Sequence, residues 1–376
     1  MRTGGGGVDT MIDDSTDTAH GTIDVLRAHA EKTEQAERPT AESLGALRAD
    51  GVLALRTPRE HGGAWADAGT IARRLTGLGR ACPSTAWIAG TCVTAKNIAA
   101  KTASDAGAYE LFADPDALFC GSGVPAAHGE PVPDGVRING RWPNVSGCED
   151  AAWAGLAVMV GGGLSFAVVP VADLAVERTW HMAGMRGTGS HTLVATDLLV
   201  PATRIAPIGQ TEAANPFAPG DILLYSLTVL APVVGAALGA LDTVDAMFAA
   251  GNRKPFMTAY SRMSESPGAR HWLAEAAHLV GRAQNTMLAV AEAADAADAE
   301  GLTGADLPRL RMDVADAARD CRAAVERMLD LHGAGGFANA HTLQRHWRDI
   351  AVGSRHPHLN PYLAAETFGT ALTASP

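Results

Sequence analysis

Gly140-Arg141-Trp142-Pro143-Asn144-Val145-Ser146-Gly147-Cys148 is the stretch on which the fold turns. It closes a segment, Gly135 to Trp142, that alternates like an exposed strand after an Asp134-Gly135 turn signal. Downstream, Ala152 to Val160 and Leu164 to Val169 are apolar runs joined by three glycines, which reads as a hairpin, and Thr192 to Val200 is a further strand closed by Pro201. Leu118 to Gly123 reads as a strand ending in a turn. The middle of the chain therefore predicts a small antiparallel β domain over 116–207.

Both flanks are helical. From Thr22 to Leu111, apolar residues recur at helical spacing (Ile23 and Leu26; Leu44 and Leu47; Ile71, Leu75 and Leu78), interrupted by a Pro- and Gly-bearing loop at Thr57 to Gly63. After Pro216 come three long alanine-rich amphipathic segments, Leu223 to Phe248, Arg270 to Ala297 and Leu307 to Leu331, the last stopping at Gly333. The expected fold class is α+β, mainly α. Its parts are a disordered leader at 1–20, an N-terminal helical domain at 21–115, the β domain, and a C-terminal helical bundle at 208–376.

Composition narrows the function classes. The 376 residues are 47% hydrophobic and 19% charged, an ordinary globular balance with ample core. A net charge of -11 argues against a nucleic-acid partner, because phosphate contacts need clustered cations. Five scattered cysteines without C-x-x-C spacing indicate reduced thiols rather than a disulfide framework or zinc site. No apolar run reads as a membrane span, the N-terminus lacks a signal-peptide pattern, and a cytoplasmic protein is expected.

Three constellations can carry chemistry. In the first, Trp142 and Ser146 at a strand end, with Trp153 following, suit an isoalloxazine: an indole covers the ring face and a hydroxyl meets its edge. A hairpin with a core tryptophan explains the same spacing. The second, Trp180 to Ser190, combines three glycines that permit close backbone approach with the hydroxyls of Thr188 and Ser190; an ordinary glycine-rich loop is the alternative. The third runs from Leu343 to Pro361. Arg345, Arg348 and Asp349 share one helix side as a candidate ion-paired or anion-facing cluster, and His356 stands before a proline where the helix should break into a cleft. The His356-x-His358 pair lacks a recognisable third metal ligand, so no metal is expected. Neither glycine cluster at 161–163 or 333–336 has the strand-to-helix setting of a dinucleotide loop.

Together with Ala81-Cys82-Pro83-Ser84-Thr85-Ala86-Trp87, these segments resemble the acyl-CoA dehydrogenase superfamily over nearly the whole chain. The nearer likeness is to its two-component monooxygenase branch, including the p-hydroxyphenylacetate and steroid-phenol hydroxylases and the actinorhodin-pathway hydroxylase. The resemblance implies an oxygenase component that takes reduced FMN or FAD from a separate NAD(P)H flavin reductase. With O2 it would hydroxylate an aromatic or phenolic small molecule, a natural-product intermediate, through a flavin C4a-hydroperoxide. It implies that His356 hydrogen-bonds or deprotonates the substrate and that Ser146 stands beside flavin N5. Trp142, Asn144 and Val145 would line the flavin, Thr188 and Ser190 would border the pocket, and Arg262 on a later helix would meet the phosphate. Asp150 stands where many relatives carry a second histidine and would take part of its catalytic role. A homotetramer is usual for the fold. Rival readings are an N-oxygenase of an amine or amino sugar, an acyl-CoA dehydrogenase, whose carboxylate base Glu366 would have to supply, and a non-catalytic flavin- or metabolite-binding protein.

Overall fold

The computed structural model describes residues 17–209, 215–251, 253–255, 257–302 and 306–373. Five helices come first: α1 (Asp17–Ala36), α2 (Ala41–Ala49), α3 (Ala68–Ala81), α4 (Pro83–Thr102) and α5 (Asp105–Leu111). The stretch expected to be a leader is corrected at its end, since α1 already begins at Asp17; residues 1–16 lie outside those described. Side-chain caps set the helix starts, as where Asp67 accepts the Thr70 N–H at 2.5 Å. Pro83 then opens α4 at a position where its missing N–H costs nothing.

Eight strands follow: β1 (Phe119–Ser122), β2 (Ala127–Val132), β3 (Gly135–Val145), β4 (Trp153–Val160), β5 (Gly163–Pro170), β6 (Ala175–Glu177), β7 (His191–Pro201) and β8 (Ile205–Pro207). Their order is β6-β7-β3-β2-β4-β5-β8, with β1 paired to β4 off this path. The β4–β5 hairpin turns through Gly161 and Gly162, both at positive φ as a tight turn requires. The sheet is mixed rather than wholly antiparallel, because β1 and β2 each run parallel to β4. The cause is the 146–152 connection, which leaves β3 and passes over β2 to reach β4. That crossing carries Ser146.

Five helices close the chain: α6 (Pro219–Ala250), α7 (Pro267–Glu300), α8 (Asp306–His332), α9 (Thr342–Gly353) and α10 (Pro361–Thr373). Helix α6 is the axis of the helical core, packed by α3, α4, α7, α8 and α9. Gly90 on α4 and Gly235 on α6 lie so close to the backbones of the partner helices that a Cβ at either would strike Thr228 O or Thr76 O. By length and composition α6 could cross a bilayer, its most apolar 18-residue window having a mean hydropathy of 2.0. This corrects the expectation that no apolar run is long enough. Because 94% of that window is buried within the fold, its apolarity serves the core. A second, smaller core fills the sheet around Ile138, Trp142, Leu156 and Leu193.

Candidate active site

The site forms where strand ends, the α4 start and the α9 exit converge. On the sheet side, the β3–β7 pairing shifts register twice, between Ile138 and Gly140 and again at a bulge between Trp142 and Val145, where Asn144 takes a φ of 61°. Bulges re-aim the residues that follow them. Here Ser146 is turned off the sheet toward α4, and its Oγ accepts the Trp87 Nε1–H at 3.2 Å. Gly147, at a φ of 71°, lets the chain pass Ile88 of α4, which a Cβ would meet at 2.9 Å.

From Ser146 a chain of hydroxyls runs inward. Ser146 Oγ lies 2.8 Å from Ser190 Oγ, which lies 2.7 Å from Thr188 Oγ1, which donates to Met185 O at 2.8 Å. All three hydroxyl side chains are buried. Met185 holds a left-handed φ of 53°, a conformation costing a non-glycine residue on the order of 1 kcal/mol. Its two backbone groups offset that: the carbonyl also accepts Trp180 Nε1–H at 2.9 Å, and the N–H donates to Asp349 Oδ1 at 2.5 Å. Arg348 secures the same loop, bonding Ala183 O with one nitrogen and pairing with Glu34 of α1 at 2.5 Å with another. Asp349 and Arg348 thus pin the 180–190 loop to α9 from adjacent positions, instead of pairing with each other. Burial pushes the Asp349 carboxyl up to about 7, against the favourable Met185 N–H bond.

On the other side of Trp87 stands His356. Helix α9 ends at Gly353 and Ser354 because Pro357 denies the preceding residue helical backbone. Arg322 of α8 fixes that exit, donating to Ser354 Oγ at 3.0 Å. The His356 ring meets the Trp87 ring edge-on, centroids 5.5 Å apart at 74°, and stacks at 5.5 Å on His358. Burial first, and His358 second, push the His356 imidazole down to about 3, so it is neutral across the physiological range. Its Nδ1 accepts the His358 backbone N–H at 3.3 Å, which leaves the ring proton on Nε2. His358 carries the opposite tautomer. Ser226 Oγ donates to Ile222 O at 3.2 Å, so at its 3.1 Å contact with His358 Nδ1 the ring must donate. His356 is a hydrogen-bond donor at Nε2 rather than a base there.

Several residues singled out in the sequence fall elsewhere. Trp142 is corrected: its side chain is wholly buried in the sheet core, with Nε1 donating to Ala157 O at 2.8 Å, and cannot cover a ligand ring. The Val145 side chain is likewise sealed in that core, while Asn144 is exposed at the bulge. The Asp150 carboxylate is ion-paired with Arg38 and lines a cavity of about 190 Å³ with Arg48 and Asp114, separate from Ser146 and His356. Arg262 lies on the exposed connection between α6 and α7, not on a helix. Glu366 is exposed on α10. Trp87, the indole that joins Ser146 to His356, was legible only as part of the 81–87 motif; its place one turn inside a proline-started helix was the available signal. Among the described residues no group of three or more His, Cys, Asp or Glu side chains is placed to hold a metal.

The donor set, an indole, a neutral imidazole and a buried hydroxyl row, has the chemistry to face a planar heterocycle. Comparison with known proteins agrees. Residues 227–361 match the family model described as acyl-CoA dehydrogenase, C-terminal domain. The chain is 32% identical over 369 residues to the oxygenase component of an FADH(2)-dependent resorcinol hydroxylase from Rhizobium sp. (strain MTP-10005), covering 90% of this chain and 89% of that protein. It is 28% identical over 372 residues to the flavin-dependent monooxygenase oxygenase subunit HsaA of Rhodococcus jostii (strain RHA1), covering 93% and 95%. Its fold superposes on XiaF from Streptomyces sp., solved with FADH2 and glycerol, at a TM-score of 0.89 with 28% identity over 96% of this chain and 95% of that one. The chain belongs to the acyl-CoA dehydrogenase superfamily, in its branch of reduced-flavin-dependent monooxygenase oxygenase components.

Proposed function

We propose that this oxygenase hydroxylates a phenolic small molecule in the space bordered by Ser146, Trp87 and His356. The observation that carries the reading is the contact chain itself. One indole donates to a buried hydroxyl at 3.2 Å and meets a neutral imidazole with ring centroids 5.5 Å apart, which supports a flavin-edge role for the first and a substrate-facing role for the second. The resorcinol hydroxylase among its relatives is named for a phenol, which supports the same substrate class.

Reduced flavin, delivered by a separate reductase, would supply two electrons so that one atom of O2 enters the product and the other leaves as water. The chain's own residues do the rest. Ser146 holds a flavin edge through the hydroxyl row. His356 donates its Nε2–H to the substrate oxygen, orienting the ring without taking its proton. Trp87, itself buried, closes the space between them and limits the room for water there, which protects an oxygen-transfer reaction from hydrolytic loss. Thr188 and Ser190 act behind Ser146 rather than at the ligand. Arg262, being exposed, suits a phosphate held between copies of the chain, and a homotetramer is the assembly we propose.

The test is rapid mixing of the protein with anaerobic reduced FMN or FADH2, then oxygen, with resorcinol-type phenols, simple amines or no substrate present. Hydroxylated phenol, formed in proportion to reduced flavin, is the expected result. Oxygenated amine with no phenol product, or no oxygen consumption attributable to the protein, would overturn the reading.

A further inference from the structure

The hydroxyl row from Ser146 to Met185 has only one consistent arrangement of its protons. Met185 O is a carbonyl and can only accept, so the 2.8 Å contact uses the single hydroxyl proton of Thr188. With that proton committed, the 2.7 Å contact between Thr188 and Ser190 requires Ser190 to donate. The Ser190 proton is then spent, and the 2.8 Å contact between Ser190 and Ser146 requires Ser146 to donate inward. Indole nitrogen only donates, so Trp87 Nε1–H takes one lone pair of Ser146 Oγ. What Ser146 has left is one lone pair and no proton. The row is buried, with Ser146, Ser190 and Thr188 at 7%, 3% and 1% exposure, so no bulk water is at hand to reorient it.

We propose that Ser190 and Thr188 are positioning residues that fix Ser146 as a hydrogen-bond acceptor, so that the site selects a ligand edge bearing N–H, reduced flavin, over the same edge without it, oxidised flavin. The inference rests on the reading above that a flavin edge meets Ser146. Reduced isoalloxazine carries a hydrogen on N5, which the free lone pair of Ser146 can accept. Oxidised isoalloxazine presents a lone pair there, and two acceptors face each other with no hydrogen between them. An enzyme that receives flavin from a separate reductase gains from this polarity: it captures the electron-bearing form and releases the spent one. Met185 anchors the row, and Asp349 and Trp180 anchor Met185, so the polarity is set by loop geometry rather than by any charged group at the ligand.

The experiment measures dissociation constants of the full chain for reduced FMN and FADH2 under anaerobic conditions, and for oxidised FMN and FAD, by equilibrium dialysis. Wild type should bind the reduced form more tightly by at least about tenfold, the scale of one buried hydrogen bond made against one mismatched. Ser190→Ala removes the acceptor of the Ser146 proton, which is then free to turn toward the ligand. Oxidised-flavin affinity should rise and the preference should fall about tenfold. Thr188→Ser keeps the donor and should keep the preference. Thr188→Val, read the same way as Ser190→Ala, serves if the latter does not fold. A preference unchanged in Ser190→Ala and Thr188→Val would overturn the wiring while leaving the flavin reading standing. A wild-type chain that binds neither redox form would overturn both.

Discussion

The two sides of Trp87 are built by different physics. On the Ser146 side each hydroxyl is bonded to the next, in a row that ends on a carbonyl held at a left-handed backbone position. On the His356 side the polar groups are few, and desolvation sets their state: both imidazoles are neutral, pushed down to about 3 and about 4. The first wall fixes direction by hydrogen-bond count, the second fixes charge by exclusion of water. A site that must hold a reactive cofactor beside an oriented phenol needs both. If the comparison is right, damage to the imidazole wall should cost chemistry, and damage to the loop and helix behind the hydroxyl wall should cost stability and geometry.

The largest effect is expected at His356. His356→Ala should leave reduced-flavin affinity within about twofold of wild type, since the row of hydroxyls is untouched, yet lower coupled hydroxylation by about 10²- to 10³-fold, the range for loss of one positioned hydrogen-bond donor. Product yield per reduced flavin, measured with oxygen uptake, checks it. Retention of full coupling would show that the imidazole is a packing residue.

Asp349 comes next, and its effect lies in pH. Its carboxyl titrates at about 7 in the folded protein against an ordinary 3.8, because burial disfavours its charge. A folded pKa above the unfolded one means that the group's contribution to stability is fully present below about pH 4 and is lost as pH rises toward 7. The full span corresponds to roughly 4 kcal/mol at 1.36 per unit. Asp349→Asn keeps an oxygen for the Met185 N–H but cannot ionise. Its unfolding free energy minus that of wild type should therefore climb across pH 4–7 and flatten beyond. A difference independent of pH would show that Asp349 is not buried as described.

Between the walls, Gly353 at the end of α9 permits the close approach of three neighbours. A Cβ there would meet Met185 Cε at 2.7 Å and Trp87 and Val233 at 3.2 Å. Gly353→Ala should cost about 1–3 kcal/mol by overpacking and, by displacing both Trp87 and Met185, weaken flavin and substrate binding together. Denaturant midpoints and the two dissociation constants decide it; a loss confined to stability would separate α9 from the site.

How much of this the sequence disclosed depends on how local each feature is. The long helices were legible because apolar periodicity and terminal Gly and Pro are local signals: the expected segment 223–248 became α6 at Pro219–Ala250, and 307–331 became α8 at Asp306–His332. Strand β2 was not, since Ala127–Val132 carries a glycine and a proline and no alternation, and with it went the parallel pairing to β4. In the site, Ser146, Ser190, Thr188 and His356 stand where turn and helix-break chemistry pointed. Their connections did not show, because Trp87 is 59 residues from Ser146 and Asp349 is 164 from Met185. Spacing placed Asp349 beside two arginines on one helix side, but only the fold shows that its partner is a backbone N–H.

Trp142 gives the smallest effect and the sharpest contrast with Trp87. Ile138 and Trp142 are four residues apart on β3, so they share a face, and both are fully buried in the sheet core. Two tryptophans in reach of one strand end thus do opposite things: Trp87 donates its N–H to a site hydroxyl, Trp142 to the Ala157 carbonyl inside the sheet. Trp142→Phe keeps most of the volume and removes that donor. It should cost about 1–2 kcal/mol of stability, from one lost buried hydrogen bond and a small void, with flavin affinity unchanged within about twofold. Urea unfolding beside a flavin titration tests it. A large fall in affinity with stability intact would return Trp142 to the cofactor's side of the sheet and undo the assignment of the covering indole to Trp87.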